Sequence, residues 1–307
     1  MFWLLLAGCA RVTSGAAAPA AGGAPAADLA AAAAPAAESA TVPTPCPQPE
    51  SAKHPVDRVA GADRYATAVC ASRAAFPAST SGTVVLARGD DAGAWADALA
   101  GTVLAEAVDG PVLLTDPARL PEPTSAELGR LQPRTVLVLG GEAAVSEAVA
   151  AQVRAAAPAA TVRRIAGPDR YATAAAVSAE AGTGGTAFVV NGFRPADALV
   201  AGAPAARAGA ALLLVGDAGV PPVTADALRQ VRDVTIVGGY GVVPANVEAQ
   251  LAELVGRDHL RRVSGGDRTE TAASVARAFP VDGRLHLANG GRLVDAIGAG
   301  WSAARAG

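Results

Sequence analysis

Three arginines are the residues whose type and spacing best suit ligand chemistry, and each directly follows an aspartate in a repeated phrase. The pairs are Asp63-Arg64, Asp169-Arg170 and Asp267-Arg268. A guanidinium group can form paired hydrogen bonds with a phosphate or a carboxylate, so this set predicts contacts with an anionic ligand. An aspartate at a helix start also serves as an N-cap, and an arginine there can bridge its helix to a neighbouring loop. Both interpretations stay open from the residues alone.

Two Gly-Gly pairs offer a second kind of anion contact. Gly140-Gly141 and Gly238-Gly239 each end a short apolar run and precede a helical pattern. Backbone N–H groups at such a strand end can approach an anion closely because no side chain intervenes. The same pairs also fit ordinary turn geometry, which is the alternative interpretation.

Enzymatic chemistry finds little support in the sequence. The three histidines, His54, His259 and His286, do not have the spacing of a metal site or of a catalytic triad. The Gly-Gly pairs do not form the Gly-x-Gly-x-x-Gly pattern of a nucleotide-binding loop. We therefore expect a protein that is not an enzyme and that uses no metal and no cofactor.

Composition narrows the expected partners further. The 307 residues carry a formal net charge of −3 without any basic run, which argues against a nucleic-acid partner. Aromatic residues make up only 4%, which argues against aromatic platforms for sugars or single-stranded nucleic acid. No apolar run approaches the ~20 residues that a membrane-spanning helix needs.

A repeat of domain size places the candidate residues. The phrase that begins at Arg58 returns at Arg164 and again at Arg262, at offsets of 106 and 98 residues. Units of this length can hold their own cores and are too long for a solenoid repeat. An Asp-Ala-Leu or Asp-Ala-Ile phrase follows in each unit, at Asp97, Asp197 and Asp295. Ordered phrases at matched offsets indicate duplicated modules.

We assign the modules to residues 57–160, 161–259 and 260–307, the third incomplete because it lacks a Gly-Gly strand. In the first module, a helix is predicted from Asp63 to about Phe76, and a short opening strand at Arg58–Ala60. Short apolar strands that alternate with helices predict a parallel sheet covered on both faces. The expected fold class is therefore α/β, with tandem small doubly wound parallel-sheet modules.

The phrases Arg-Val-x-Gly-x-Asp-Arg-Tyr-x-Thr-Ala, Asp-Ala-Leu, Pro-x-Leu-Leu-Thr and Val-x-Gly-Gly together resemble the type 2 cell wall-binding repeat family. The resemblance covers roughly residues 57–307. It implies three α/β modules in a pseudo-threefold arrangement that attach non-covalently to wall polymers of Gram-positive bacteria. It also points to Leu113, Leu114 and Thr115 as a possible site, although this segment otherwise suits a core strand. The third module departs from the pattern, with Thr269-Glu270 in place of Tyr-Ala.

The N-terminus predicts export. Leu6-Ala7-Gly8-Cys9 resembles the lipobox of bacterial lipoproteins, in which the cysteine carries lipid, so we expect residues 1–9 to be an export signal and Cys9 a lipidation site. Only eight residues precede Cys9 and none of them is basic, which departs from the pattern of an export signal; a plain cleaved signal or a chance match is the alternative. Residues 10–56, rich in alanine and proline, predict an extended spacer. Cys46 in this spacer and Cys70 in the first module could form a disulfide; a buried, unpaired Cys70 is the other possibility.

The sequence thus predicts a non-catalytic extracytoplasmic protein at the cell wall or cell surface. Its expected partner is an anionic wall polymer or peptidoglycan, and it would contact the membrane only through the lipid anchor at Cys9. Two alternatives remain. The chain could be the anchoring part of a wall hydrolase whose catalytic domain lies elsewhere, or a solute-binding lipoprotein, which would need two lobes around a cleft.

Overall fold

The computed structural model describes residue 46 and residues 58–78, 81–90, 95–280, 285–291 and 293–305. The expected export signal with Cys9, and all of the predicted spacer except Cys46, lie outside the described residues. The described part forms one compact unit built from three consecutive modules.

The first module alternates helices and strands. Its elements are α1 (Arg64–Ala75), β1 (Thr83–Arg88), α2 (Trp95–Ala107), β2 (Val112–Thr115), α3 (Glu122–Leu131), β3 (Thr135–Leu139), α4 (Glu147–Ala156) and β4 (Thr161–Ile165). β1, β2 and β3 are nearly continuous apolar runs with mostly buried side chains, as expected for a sheet that is covered on both faces, whereas the edge strand β4 is largely exposed or half-buried.

The second module repeats the same order. Its elements are α5 (Arg170–Glu180), β5 (Gly185–Asn191), α6 (Pro195–Arg207), β6 (Ala211–Val215), α7 (Pro222–Leu228), β7 (Val231–Val237), α8 (Ala245–Val255) and β8 (Leu260–Val263). A single 3₁₀ turn at Arg257–His259 precedes β8. The described residues of the third module form α9 (Arg268–Ala278) and α10 (Leu293–Arg305).

Both sheets are doubly wound. The strand orders are β2-β1-β3-β4 and β6-β5-β7-β8, and all six strand pairs are parallel. In each sheet the second strand lies on one side of the first strand, and the third and fourth strands lie on its other side. With right-handed crossovers, this reversal places helices on both faces. The α/β fold class predicted from the sequence is confirmed.

The last strand of each sheet lies on the far side of the predicted module boundary. β4 pairs with β3 and β8 pairs with β7, although the sequence assigned both strands to the module that follows. By sheet membership, the first module extends to Ile165 and the second to Val263. The opening strand predicted at Arg58–Ala60 is not formed, because the described residues before α1 contain no sheet that it could join.

Three equivalent helices bring the modules together. α2, α6 and α10 each contact the other two, which gives the expected pseudo-threefold arrangement. Their equivalent positions Thr102, Gly202 and Gly300 meet at the centre. A Cβ added to either glycine would lie 3.4 Å from the Thr102 side chain. Small residues therefore allow the three backbones to approach one another closely.

The third module closes on the first through aromatic and ionic contacts. Trp301 on α10 is buried and stacks on Phe76. Arg305 Cζ lies 4.3 Å from the centroid of the Phe76 ring, and the Arg305 guanidinium group pairs with Asp109. One continuous apolar core includes buried residues from all three modules, and a smaller core covers the other face of the second sheet. Cys46 and Cys70 form a disulfide with a Cα–Cα distance of 5.5 Å, which ties residue 46 to α1.

Candidate functional site

The candidate site lies at the carboxyl ends of the strands, where doubly wound sheets usually bind ligands. The strand order reverses between β1 and β3 in the first sheet and between β5 and β7 in the second: later strands are added on the opposite side of the first strand. The loops that follow these strands begin at Gly89 and Gly140 in the first module and at Gly192 and Gly238 in the second.

The three predicted arginines make equivalent contacts, one in each module. Each donates a hydrogen bond from Nη1 to the carbonyl oxygen of a glycine. In the first two modules this glycine directly follows the first strand, and in the third module it is at the equivalent position of the sequence. The pairs are Arg64 with Gly89 at 3.0 Å, Arg170 with Gly192 at 2.5 Å and Arg268 with Gly290 at 2.7 Å. The guanidinium groups therefore bridge the helix start to the strand-end loop, as the alternative interpretation required.

The three aspartates lie at the N-caps of α1, α5 and α9. Asp63 Oδ1 accepts from Ala66 N at 2.8 Å, and Asp169 Oδ1 accepts from Ala172 N at 2.8 Å. Asp267 Oδ1 accepts from both Thr269 N and Glu270 N. Each carboxylate therefore satisfies helix N–H groups, which is the structural role rather than the ligand role.

The two glycines of each Gly-Gly pair differ in their surroundings. Gly140 and Gly238 have φ of +90° and +121°, so their backbones favour glycine. A Cβ at Gly140 would collide with Asp97 Oδ2, and one at Gly238 would lie 3.2 Å from Asp197 Oδ2. The space around Gly141 is open, and the nearest atom to a Cβ at Gly239 would be 3.8 Å away. Only the second glycine of each pair leaves room for a ligand.

Asp97 and Asp197 were not among the predicted site residues, and both lie where consecutive modules meet. Burial raises the pKa of Asp97, which the positive charges of Arg170 and Arg88 oppose. Burial also raises the pKa of Asp197, opposed by a hydrogen bond with Thr271 and by the charge of Arg268. The repeated Asp-Ala-Leu phrase was the signal that could have identified both residues.

Two further arginines missed by the sequence analysis hold the Gly-Gly turns. Arg164 Nη1 donates to Gly140 O at 2.8 Å, and Arg262 Nη1 donates to Gly238 O at 2.5 Å. Arg262 Nη2 also donates to Val243 O and to Glu248, both at 3.0 Å. These residues open the repeated phrase, so the repeat had already marked their positions.

The Leu-Leu-Thr segment lies inside the first module. Leu113, Leu114 and Thr115 in β2 have exposed fractions of 0%, 1% and 0%. Thr115 Oγ1 donates within the following turn, to Asp116 O at 3.0 Å. Burial of all three side chains supports the assignment to the core over a direct contact with a ligand.

Two exposed aromatic residues stand at the strand ends of the second module. Phe193 follows β5 and is 54% exposed, and Tyr240 follows β7 and is 60% exposed. Each carries an arginine against one face of its ring: Arg170 Cζ lies 4.2 Å from the Phe193 centroid, and Arg262 Cζ lies 4.2 Å from the Tyr240 centroid. The low aromatic content had argued against such a surface.

Two features are absent from the residues that the structure describes. No helix there has both the length and the apolar character required to cross a membrane. In the same ranges, no three histidine, cysteine, aspartate or glutamate side chains come together as metal ligands.

The fold and the strand-end sites define a protein of tandem α/β modules. The profile of the Cell wall binding domain 2 (CWB2) family matches residues 58–150 and 164–248, more than half of the chain. The chain belongs to this family, which confirms the resemblance drawn from the repeated phrases.

Curated relatives extend the comparison. The chain is 30% identical over 257 residues to N-acetylmuramoyl-L-alanine amidase LytC from Bacillus subtilis, a match that covers 83% of the chain and 49% of LytC. It is 28% identical over 242 residues to the amidase enhancer of the same organism, covering 78% of the chain and 32% of that protein. The chain therefore spans half or less of the length of these two relatives.

Solved structures share the fold. Cwp6 from Clostridium difficile matches with a TM-score of 0.71 and 30% identity, over 80% of this chain and 40% of Cwp6. Cwp8 from the same organism matches with a TM-score of 0.71 and 28% identity, over 80% of this chain and 42% of Cwp8. These matches support the tandem α/β architecture described above.

Proposed function

We propose that this protein is a non-catalytic surface protein that attaches non-covalently to Gram-positive cell wall polymers through its tandem modules. Membership of the Cell wall binding domain 2 family is the observation that carries the proposal. The partner would be an anionic wall polymer or peptidoglycan, and the location extracytoplasmic, at the wall or cell surface. A lipid on Cys9 would add a membrane anchor.

The strand-end loops are the surface that would meet the polymer. Arg170 and Arg268 are held by the backbone carbonyls of Gly192 and Gly290, and each has further guanidinium N–H groups beyond the one used in that contact. Gly141 and Gly239, at the carboxyl ends of β3 and β7, have open space where a side chain would lie, so a ligand could approach their backbone. Contacts spread over several modules would add by avidity, because binding at one module raises the effective concentration at the next.

Co-sedimentation with purified Bacillus subtilis walls tests this proposal. The full chain is incubated with intact walls and with walls stripped of their acid-labile anionic polymers. Loss of binding on stripping, together with weaker binding at high salt, would assign the ligand to the anionic polymer. Binding that survives stripping would assign it to peptidoglycan. A chain that melts cooperatively but stays in the supernatant with both preparations would refute the proposal.

A role as the anchoring part of a wall hydrolase is the second candidate, favoured by the match to the amidase LytC. The match to the amidase enhancer favours attachment without hydrolysis by the chain itself. Both candidates make this chain non-catalytic, so we expect the purified chain to bind intact walls without releasing soluble muropeptides. Release of muropeptides by the purified chain would contradict both.

A further inference from the structure

The second module carries an aromatic surface that the first lacks at the same positions. Phe193 lies two residues beyond Asn191, the last residue of β5, and Tyr240 lies three residues beyond Val237, the last residue of β7. The equivalent positions of the first module hold Asp90 and Glu142, so the substitution is acidic to aromatic at both places. A lone exposed aromatic residue is unremarkable on a protein surface. Two on neighbouring strand ends, at the crevice where this fold binds ligands, call for a physical explanation.

One buried side chain joins the two aromatic loops. Asn191 is fully buried, its Oδ1 accepts from Phe193 N at 2.8 Å, and its Nδ2 donates to Val242 O at 2.6 Å. Nδ2 also lies 2.6 Å from Asp217 Oδ1. Because β5 and β7 are adjacent in the sheet, about 5 Å apart, this amide fixes one loop against the other. Asn191 is therefore a positioning residue for both rings.

An arginine packs against one face of each ring. Arg262 is itself anchored by Gly238 O, Val243 O and Glu248, and only 10% of its side chain is exposed. Arg170 is anchored by Gly192 O, and Tyr171 meets the Phe193 ring edge-on at a centroid distance of 6.2 Å. The guanidinium groups behind the rings are therefore fixed, and more than half of each aromatic residue is exposed. Both rings thus present aromatic surface to solvent.

We propose that Phe193 and Tyr240 form a stacking site for pyranose rings of a wall glycan, specific to the second module. One face of a pyranose carries axial C–H groups, which are apolar and weakly positive, and these suit the negative face of an aromatic ring. Arg170 behind Phe193 is only part-buried and has guanidinium N–H groups beyond the one bound to Gly192 O, which could donate to sugar hydroxyls or carboxylates at the rim. This inference rests on the proposed function and names the chemical group that the second module recognises.

Binding of defined probes to the full chain tests the site. The probes are glycan strands from polymer-free peptidoglycan, acid-released wall polysaccharide, and unsubstituted poly(glycerol phosphate), which has phosphate but no sugar ring. We expect Phe193→Leu and Tyr240→Leu each to weaken binding to one of the sugar-containing probes about five- to tenfold. Tyr240→Trp and Phe193→Tyr keep an aromatic ring and should retain the binding of the original chain. Leu254→Ala, an exposed apolar residue on α8, is the matched control and should bind as the original chain does.

The outcomes separate this inference from the proposed function. Ring-dependent binding to peptidoglycan strands or to acid-released polysaccharide would support stacking and identify the source of the sugar. Wall binding that is unchanged in Phe193→Leu and Tyr240→Leu would overturn the stacking site while the proposed function stands. Equal affinity for poly(glycerol phosphate) and for the sugar probes would also overturn it. Failure of the original chain to bind walls at all would overturn both proposals.

Discussion

Trp301 of α10 stacks on Phe76 at the end of α1, with ring centroids 6.2 Å apart and ring planes inclined by 28°. The two residues are 225 positions apart in the sequence, and their contact joins the third module to the first. Trp301 has an exposed fraction of 1%, and its Nε1 has no hydrogen-bond partner among the described residues. The stack therefore stabilises the closed arrangement through apolar burial alone.

Truncation of this tryptophan should destabilise the whole unit. We expect Trp301→Ala to lower the free energy of unfolding by about 3–5 kcal/mol, because it removes a large buried ring and leaves a cavity. Trp301→Phe should stay within about 1 kcal/mol, since it keeps the ring and removes an unsatisfied N–H donor. Urea unfolding followed by circular dichroism measures both values. Equal stability of Trp301→Ala and the original chain would contradict the closed arrangement.

Glu127 should be a second stability determinant, within the first module. Its carboxylate is fully buried and accepts hydrogen bonds from Ser72, Arg73 and Arg130 at 2.6 to 3.1 Å, which joins α1 to α3. Glu127→Ala leaves these donors without their acceptor, and we expect a loss of about 3 kcal/mol in the free energy of unfolding. The control is Asp226→Ala, which breaks an exposed pair with Arg229 and should cost at most about 0.5 kcal/mol. Similar losses in both variants would disprove this role.

The two glycines of the first Gly-Gly pair should respond differently to alanine. Gly140→Ala places a side chain on a backbone with φ of +90° and against Asp97, so we expect a loss of about 2–3 kcal/mol. Gly141→Ala meets open space and should change the stability by less than about 0.5 kcal/mol. Thermal melts of the two variants make the comparison, and indistinguishable melts would show that the first glycine is not constrained.

Stability should depend on pH through the carboxyl group of Asp97. Because burial raises its pKa above the ordinary value of 3.8, the folded chain binds the proton more tightly than the unfolded chain. This contribution to stability is greatest below pH 3.8 and is lost as the pH rises through the folded pKa. Asp97→Asn removes the dependence, so the difference in Tm, variant minus original, should become more positive from pH 3.5 to pH 7.

A carboxyl group shifted in the other direction supplies the control for this pH profile. The hydrogen bond from Arg154 lowers the pKa of Glu147, so its contribution is present above the ordinary value of 4.5 and is lost as the pH falls through the folded pKa. Glu147→Gln should therefore give a Tm difference that becomes more negative as the pH rises. Parallel pH profiles for Asp97→Asn and Glu147→Gln would contradict the assigned burial of Asp97.

Local signals in the sequence located the first helix well. Asp63 and Pro77 bracket a predicted helix that differs from α1 by one residue at each end, because N-caps and helix stops act over a single turn. The strand predicted at Arg58–Ala60 is absent, whereas its equivalent β4 is formed by pairing with β3. Strand formation depends on a distant partner, which a local pattern does not contain.

The candidate site was only partly predictable, for two physical reasons. The repeat located Arg64 and Gly140 but could not show that backbone carbonyls and neighbouring side chains already engage them. The aromatic surface was missed because a composition of 4% aromatics is an average over the chain. Phe193 and Tyr240 lie 47 residues apart in sequence, and only the adjacency of β5 and β7 places them at the same edge of the sheet.

Titration of the chain with Bacillus subtilis walls tests the central claim most directly. A fixed concentration of the full chain is mixed with increasing wall mass, and the fraction left in the supernatant is measured for native and for reduced, heat-unfolded protein. Wall attachment through folded modules predicts saturable depletion of the native chain alone. Depletion that does not saturate, or that is equal for native and unfolded chains, would contradict it.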